Sequence, residues 1–138
     1  MLYKKTLKMV QVEEIITELD SFHYNDGDWL PLDRLIIKLW NTGKPEVAIQ
    51  SLFKIFEKYP TEDGAGVFWT ILHGIESLNY EKELYDSLIR KPSYMVVIML
   101  NRIENSNSKT IAGKSIAKFK ELLRNHSKIN SELLDYLN

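Results

Sequence analysis

Between Leu32 and Pro92 the chain twice follows the same order: a helical apolar pattern, a turn containing asparagine, a second helical pattern, and a proline that stops it. In the first copy Leu32, Leu35, Ile36, Leu39 and Trp40 recur at helical spacing. Pro31 suits the opening turn, and Gly43 in Asn41-Thr42-Gly43 suits the C-terminal cap. Pro45 opens the next helix, whose broad apolar face runs from Ala48 through Ile49, Leu52, Phe53, Ile55 and Phe56 to Tyr59, before Pro60. The second copy pairs a helix from about Ala65 to Leu78 with one from about Tyr80 to Arg90, ending before Pro92. Two helices joined by so short a turn form a hairpin. A unit of roughly 30 residues lies in the range of helical solenoids, where each hairpin buries its apolar face only by stacking on its neighbours.

The flanking segments extend the pattern. Val12, Ile15, Ile16, Leu19 and Phe22 predict a helix over roughly Leu7 to Ser21. Ser93 is placed to cap a third block, with helices from Tyr94 to about Glu104 and from about Gly113 to Asn125, joined by an exposed polar connection. A short final helix, Ser131 to Leu137, offers Leu133, Leu134 and Leu137 to cover the end of the stack. No tetratricopeptide or ankyrin signature is visible. The expectation is a single all-α domain over 1–138, an irregular HEAT-like α-α superhelix of stacked hairpins, with a compact helical bundle as the alternative.

Composition limits the functional classes. A chain of 138 residues, 44% apolar and 27% charged, has enough material for a core without metal or disulfide staples. The absence of cysteine excludes a thiol nucleophile and thiolate-bound zinc. The longest apolar run, Tyr94 to Leu100, is seven residues, far below a membrane span. With no secretory signal at the start, a cytoplasmic protein is expected. Residues 13 to 63 carry eleven acids against five bases, whereas Lys109 to Lys128 holds six bases and one acid. The acidic half either faces a basic partner or, with the basic segment, forms ordinary solvated helix faces whose opposite charges partly offset each other within the fold. A net charge of -1 and a pI near 6.3 argue against nucleic-acid binding driven by the phosphate backbone.

No enzymatic constellation emerges. Asp26-Gly27-Asp28 lacks the remaining ligands of a calcium loop. Gly64-Ala65-Gly66 lacks the lysine and preceding strand of a phosphate loop, and no nucleophile elbow exists. His73 and Glu76 share the i, i+3 spacing of carboxylate-histidine metal bundles, but no second copy accompanies them. The chain is therefore read as a non-enzyme, with no cofactor, metal or small-molecule substrate.

Two groups stand out as binding candidates. Trp69, His73 and Glu76 fall on one stripe of their helix, apart from the face of Phe68, Ile71, Leu72 and Ile75. The stripe is either an aromatic and polar interface or a packed surface in which His73 bonds Glu76 or a backbone carbonyl. Arg102, following an all-apolar helical run, is either a groove-lining donor or a clamp onto Glu76. The second group is Asp26, Asp28, Trp29, Glu62 and Asp63 at loop ends, with Trp29 either an anchor for a partner or a staple for the helix it precedes.

The run from Gly66 to Ser106 resembles a segment of small bacterial immunity proteins from polymorphic-toxin and contact-dependent growth inhibition systems. The likeness rests on Phe68-Trp69, His73-Gly74-Ile75-Glu76, Ser87-Leu88, Lys91-Pro92-Ser93 and Leu100-Asn101-Arg102, about a third of the chain. It implies a cytoplasmic protein that binds and neutralises a cognate toxin domain, for which a basic nuclease would suit the acidic half. The alternative is a helical-repeat adaptor between other proteins.

Overall fold

A computed structural model describes residues 2–137, with side chains from Thr6 onward. Among the described residues the fold is mostly helical, with one minimal hairpin. Seven α-helices follow in order: α1 (Leu2–Asp20), α2 (Leu30–Asn41), α3 (Ile49–Lys58), α4 (Val67–Glu76), α5 (Glu81–Arg90), α6 (Tyr94–Asn105) and α7 (Ile116–Arg124). Three 3-10 turns, Pro45–Ala48, Gly64–Gly66 and Ser131–Tyr136, complete the helical content.

The boundaries follow local chemistry. α1 starts five residues before the expected Leu7, and Val12, Ile15 and Leu19 carry its buried face. Asp26 and Gly27 both take left-handed φ values, 48° and 81°, in a tight turn that pairs Asn25 with Asp28. Pro31 lies in the first turn of α2, and Gly43 leaves it at φ 74°. The helix expected from Ala65 begins instead at Val67, because Gly64, Ala65 and Gly66 all have positive φ. Gly64 has a second reason to be glycine: a Cβ there would lie 2.6 Å from the ring of Phe68.

The connection after α6 departs most from the sequence expectation. Thr110–Ile111 (β1) and Lys114–Ser115 (β2) form an antiparallel hairpin across Ala112 and Gly113, both at positive φ. The helix expected from Gly113 therefore starts at Ile116, with the Ser115 hydroxyl accepting from the Lys118 amide. Ile111 is fully buried and fixes the hairpin's register. The C-terminal segment is a 3-10 turn rather than an α-helix, and Leu133 is its buried leucine, while Leu134 is 39% exposed. Ser93 stands at the N-cap of α6, but its buried hydroxyl has no hydrogen-bond partner among the described residues.

Close backbone contacts link alternate helices. α1 packs on α3 and α3 on α5, while α2 packs on α4 and α4 on α6. Further contacts of α1 with α2, α3 with α4 and α6, and α5 with α6 join the two series around one core. Neither expected hairpin, α2 with α3 or α4 with α5, is among the closest pairings. Where α2 crosses α4 a glycine is needed, since a Cβ at Gly74 would lie 2.4 Å from a ring carbon of Trp40.

Candidate functional site

The α4 stripe forms as its spacing dictates. Trp69 is half-buried and His73 exposed, with ring centroids 6.2 Å apart. Arg102 reaches across from α6, donating from Nε to one Glu76 oxygen at 2.8 Å and from Nη2 to the other at 3.0 Å. This two-pronged bond ties α4 to α6 and realises the clamp alternative for Arg102. His73 Nδ1 lies 3.6 Å from Glu76, beyond hydrogen-bond range. The hydrogen bond to Glu76 raises the Arg102 pKa and keeps the guanidinium charged. Burial, then the charges of Glu76 and Glu81, push the Tyr80 phenol upward, so it is neutral and able to donate at ordinary pH. Glu76, Tyr80 and Arg102, with Ile103, Asn105 and Ser106, border an open depression of about 530 Å³.

The Arg102 side chain is 46% exposed, so solvent weakens the clamp. A double-mutant cycle with Glu76→Gln and Arg102→Gln, read by urea denaturation, is expected to give a coupling of about 0.5–1 kcal/mol. A coupling above about 2 kcal/mol would mean the pair is far better shielded than its exposure implies.

The second group divides. Trp29 is buried, which corrects its reading as a surface anchor. Its indole stacks on Tyr24 at 4.2 Å between centroids and meets Tyr59 and Phe68 edge-on at 5.3 and 5.2 Å. The Tyr59 hydroxyl accepts from the Tyr24 amide at 2.7 Å, and Lys58 Nζ donates to the Phe22 carbonyl. One aromatic cluster thus holds the loop before α2 against the loop before α4.

Four acids of the group remain exposed: Asp26, Asp28, Glu62 and Asp63. Asp28 accepts from the Leu30 amide and Asp63 from the Ala65 amide, which fixes both carboxylates on the backbone. Glu62 and Asp63 border a depression of about 340 Å³ with Thr61, Tyr94, Glu132, Leu133 and Tyr136. Tyr94 and Tyr136 meet there edge to face at 4.9 Å. The C-terminal turn is held to α6 by Asn101, whose Nδ2 donates to the Tyr136 carbonyl at 2.5 Å. Glu132 and Tyr136 escape sequence reasoning because no local pattern places residues 131–136 beside residues 61–63. The α4 stripe and the Glu62–Asp63 group line separate depressions.

The basic segment is broken up by the fold. Lys120 points inward to Glu104 at 2.5 Å, and Lys114 lies 4.4 Å over the Tyr85 ring. Among the described residues no cluster of three or more His, Cys, Asp or Glu is arranged to hold a metal, and no helix is long and apolar enough to cross a membrane. No family model matches the chain, and neither the curated proteins nor the solved structures contain a match.

Proposed function

We propose that this chain is an immunity protein that binds a cognate bacterial toxin domain in the cytoplasm and blocks its active site or substrate entry, without turnover. The observation that carries the reading is the depression walled by Glu62, Asp63 and Glu132 and by the rings of Tyr94 and Tyr136. Carboxylates beside tyrosine rings suit a lysine or arginine side chain, through ion pairing and cation–π attraction together. Asp26 and Asp28 lie on the loop that the aromatic cluster ties to this one, and they extend the acidic surface toward a basic partner such as a nuclease. The backbone bonds to Asp28 and Asp63 hold these acids in place before binding, which lowers the entropy lost on association. The likeness of residues 66 to 106 to toxin-immunity proteins supports the same conclusion. The alternating contacts α1–α3–α5 and α2–α4–α6 favour the HEAT-like superhelix as its architecture. An adaptor in an unrelated complex is the second reading, favoured by the Trp69, His73, Glu76 and Arg102 face, which offers residue types common at interface hot spots.

The test is co-purification with the toxin encoded immediately upstream, together with growth rescue when that toxin is expressed. Glu62→Lys with Glu132→Lys is expected to weaken toxin binding at least ~10-fold with little change in melting temperature. Asp26→Lys with Asp28→Lys is expected to act in the same direction. If both pairs leave binding intact, the acidic surface is not the contact; a partner that proves harmless to the cell selects the adaptor.

A further inference from the structure

The depression beside Tyr94 has two unlike walls. One is built into the fold: Thr61, Glu62 and Asp63 lie in the connection after α3, Tyr94 opens α6, and the Tyr94 amide donates to the Pro60 carbonyl at 2.7 Å, which ties the two together. The other wall is Glu132, Leu133 and Tyr136, from the segment 131–137. This segment is reached through irregular backbone at residues 125–130, anchored at its near end by His126. The imidazole Nδ1 accepts from the Lys128 amide at 3.0 Å, which places the ring proton on Nε2, donated to the Ile89 carbonyl of α5 at 2.6 Å. Past that anchor, the bonds from the Leu133 amide to the Asn130 carbonyl and from the Leu137 amide to the Leu134 carbonyl are local to the segment. Among the described residues it is held to the rest of the fold through buried Leu133, half-buried Leu137, the Asn101 bond to the Tyr136 carbonyl and the Tyr94–Tyr136 ring contact. The Asn101 bond holds weakly, because Asn101 Oδ1 is left buried without a partner among the described residues, and an unpaired buried acceptor costs about what such a bond contributes. Ser131, Glu132, Leu134, Asp135 and Tyr136 are exposed. A segment with so few buried contacts opens without unfolding the helices beneath it.

We infer that residues 131–137 are a strap that closes on a cationic side chain of the partner, so that filling the depression and docking the strap stabilise each other. The inference rests on the proposed reading of this depression as the seat of a lysine or arginine. With the strap docked, Glu132 and Tyr136 border the depression together with Glu62, Asp63 and Tyr94, and an entering cation meets a carboxylate and a ring from each wall. With the strap open, the fixed wall alone remains. A ligand that binds the docked form more tightly shifts the strap toward docking by the ratio of its two affinities. Binding is therefore read out at the strap, and a strap that cannot dock weakens binding even though the fixed wall is intact.

The experiment uses the full chain, which has no cysteine, so a single introduced thiol reports on one place. Leu133→Cys puts that thiol under the strap, and Leu72→Cys puts it in the fully buried face of α4. A neutral methanethiosulfonate reagent is expected to label the Leu133→Cys chain at least ~10-fold faster, with little dependence on low urea, whereas labelling of the Leu72→Cys chain should rise steeply with urea as global unfolding does. N-acetyl-arginine amide at ~50 mM is expected to slow labelling of the Leu133→Cys chain at least ~3-fold, and the uncharged N-acetyl-citrulline amide at matched ionic strength is expected to leave it unchanged. In Leu133→Asp a carboxylate at the buried anchor opposes docking. That variant is expected to bind the arginine amide at least ~5-fold more weakly than the wild type in an NMR titration, while circular dichroism shows the helices intact. Equal labelling rates for the two cysteine variants overturn the strap, as does labelling of the Leu133→Cys chain that the arginine amide does not slow. Leu133→Asp binding the amide as tightly as the wild type overturns it too. The probe contains no toxin, so the two readings fail separately. A chain whose strap closes on the amide but that rescues no cell loses the immunity reading and keeps the strap; rescue by a chain whose strap ignores the amide does the reverse.

Discussion

Trp29→Ala is expected to destabilise the protein by about 3–5 kcal/mol, the range for removing a large aromatic side chain from a core. Trp29 is 6% exposed and lies within aromatic contact distance of Phe22, Tyr24, Tyr59 and Phe68, so its loss would leave a cavity with walls on three sequence segments. Those rings cannot close the gap without moving the backbone of either loop, because Tyr59 is fixed to the Tyr24 amide and Phe68 packs on Gly64. Urea denaturation measures the loss. Trp29→Phe, which keeps a ring in place, is expected to recover about half of it. A loss within about 0.5 kcal/mol is what an exposed partner anchor would show, and that result would contradict the buried placement. Affinity for the proposed toxin partner is a further readout, since the cluster also positions the carboxylates of Asp28 and Asp63.

Glu104→Gln is the second large effect, expected at about 2–3 kcal/mol. Lys120 keeps 4% of its side chain exposed and, among the described residues, pairs with the carboxylate of Glu104 on α6. Removing that carboxylate leaves an ammonium inside the fold, where breaking a fully buried pair costs about 3–5 kcal/mol. The lower figure reflects the 36% exposure of Glu104, which lets water screen part of the interaction. Lys120→Met is expected to be near neutral, because it removes the charge and keeps the side-chain volume. The double variant should therefore be more stable than Glu104→Gln alone, as thermal melts can show. Equal destabilisation by both single changes would indicate that the ammonium–carboxylate bond itself is what the site requires, because methionine keeps the apolar stem.

Much of the helical framework is legible in the sequence. Pro31, Pro45, Pro60 and Pro92 act through a fixed φ and Gly43 through its tolerance of positive φ, so they place helix ends without reference to the rest of the chain. The Arg102–Glu76 clamp is legible too, since an arginine beside an apolar helical run needs a nearby carboxylate. The hairpin at Thr110–Ser115 is harder to read because its turn uses Ala112 at φ 49°, where sequence reasoning looks for asparagine or glycine. Ile111, a large apolar residue in a polar stretch, and Gly113 at the turn are the signals that the segment folds back. Trp29 sits in a polar loop and looks exposed; its burial depends on Tyr59 and Phe68, at separations of 30 residues or more. Glu57, bound by Arg90 through both oxygens and by the Ser87 hydroxyl, is missed for the same reason, since local periodicity carries no record of which alternate helix stands opposite.

The alternation of helix contacts has a kinetic consequence. Among the described residues each close pairing of α-helices joins helices one, two or three helices apart, so no loop closed between them spans the whole chain, and closure entropy grows only slowly with loop length. A mostly helical chain connected in this way is expected to fold on the microsecond to millisecond scale. The 131–136 turn packs on α6, whose own apolar sides are covered by α3, α4 and α5, so this last segment has its docking surface only after that assembly exists. In stopped-flow refolding it should be the last segment to gain protection from amide exchange, and in native-state exchange the first to lose it.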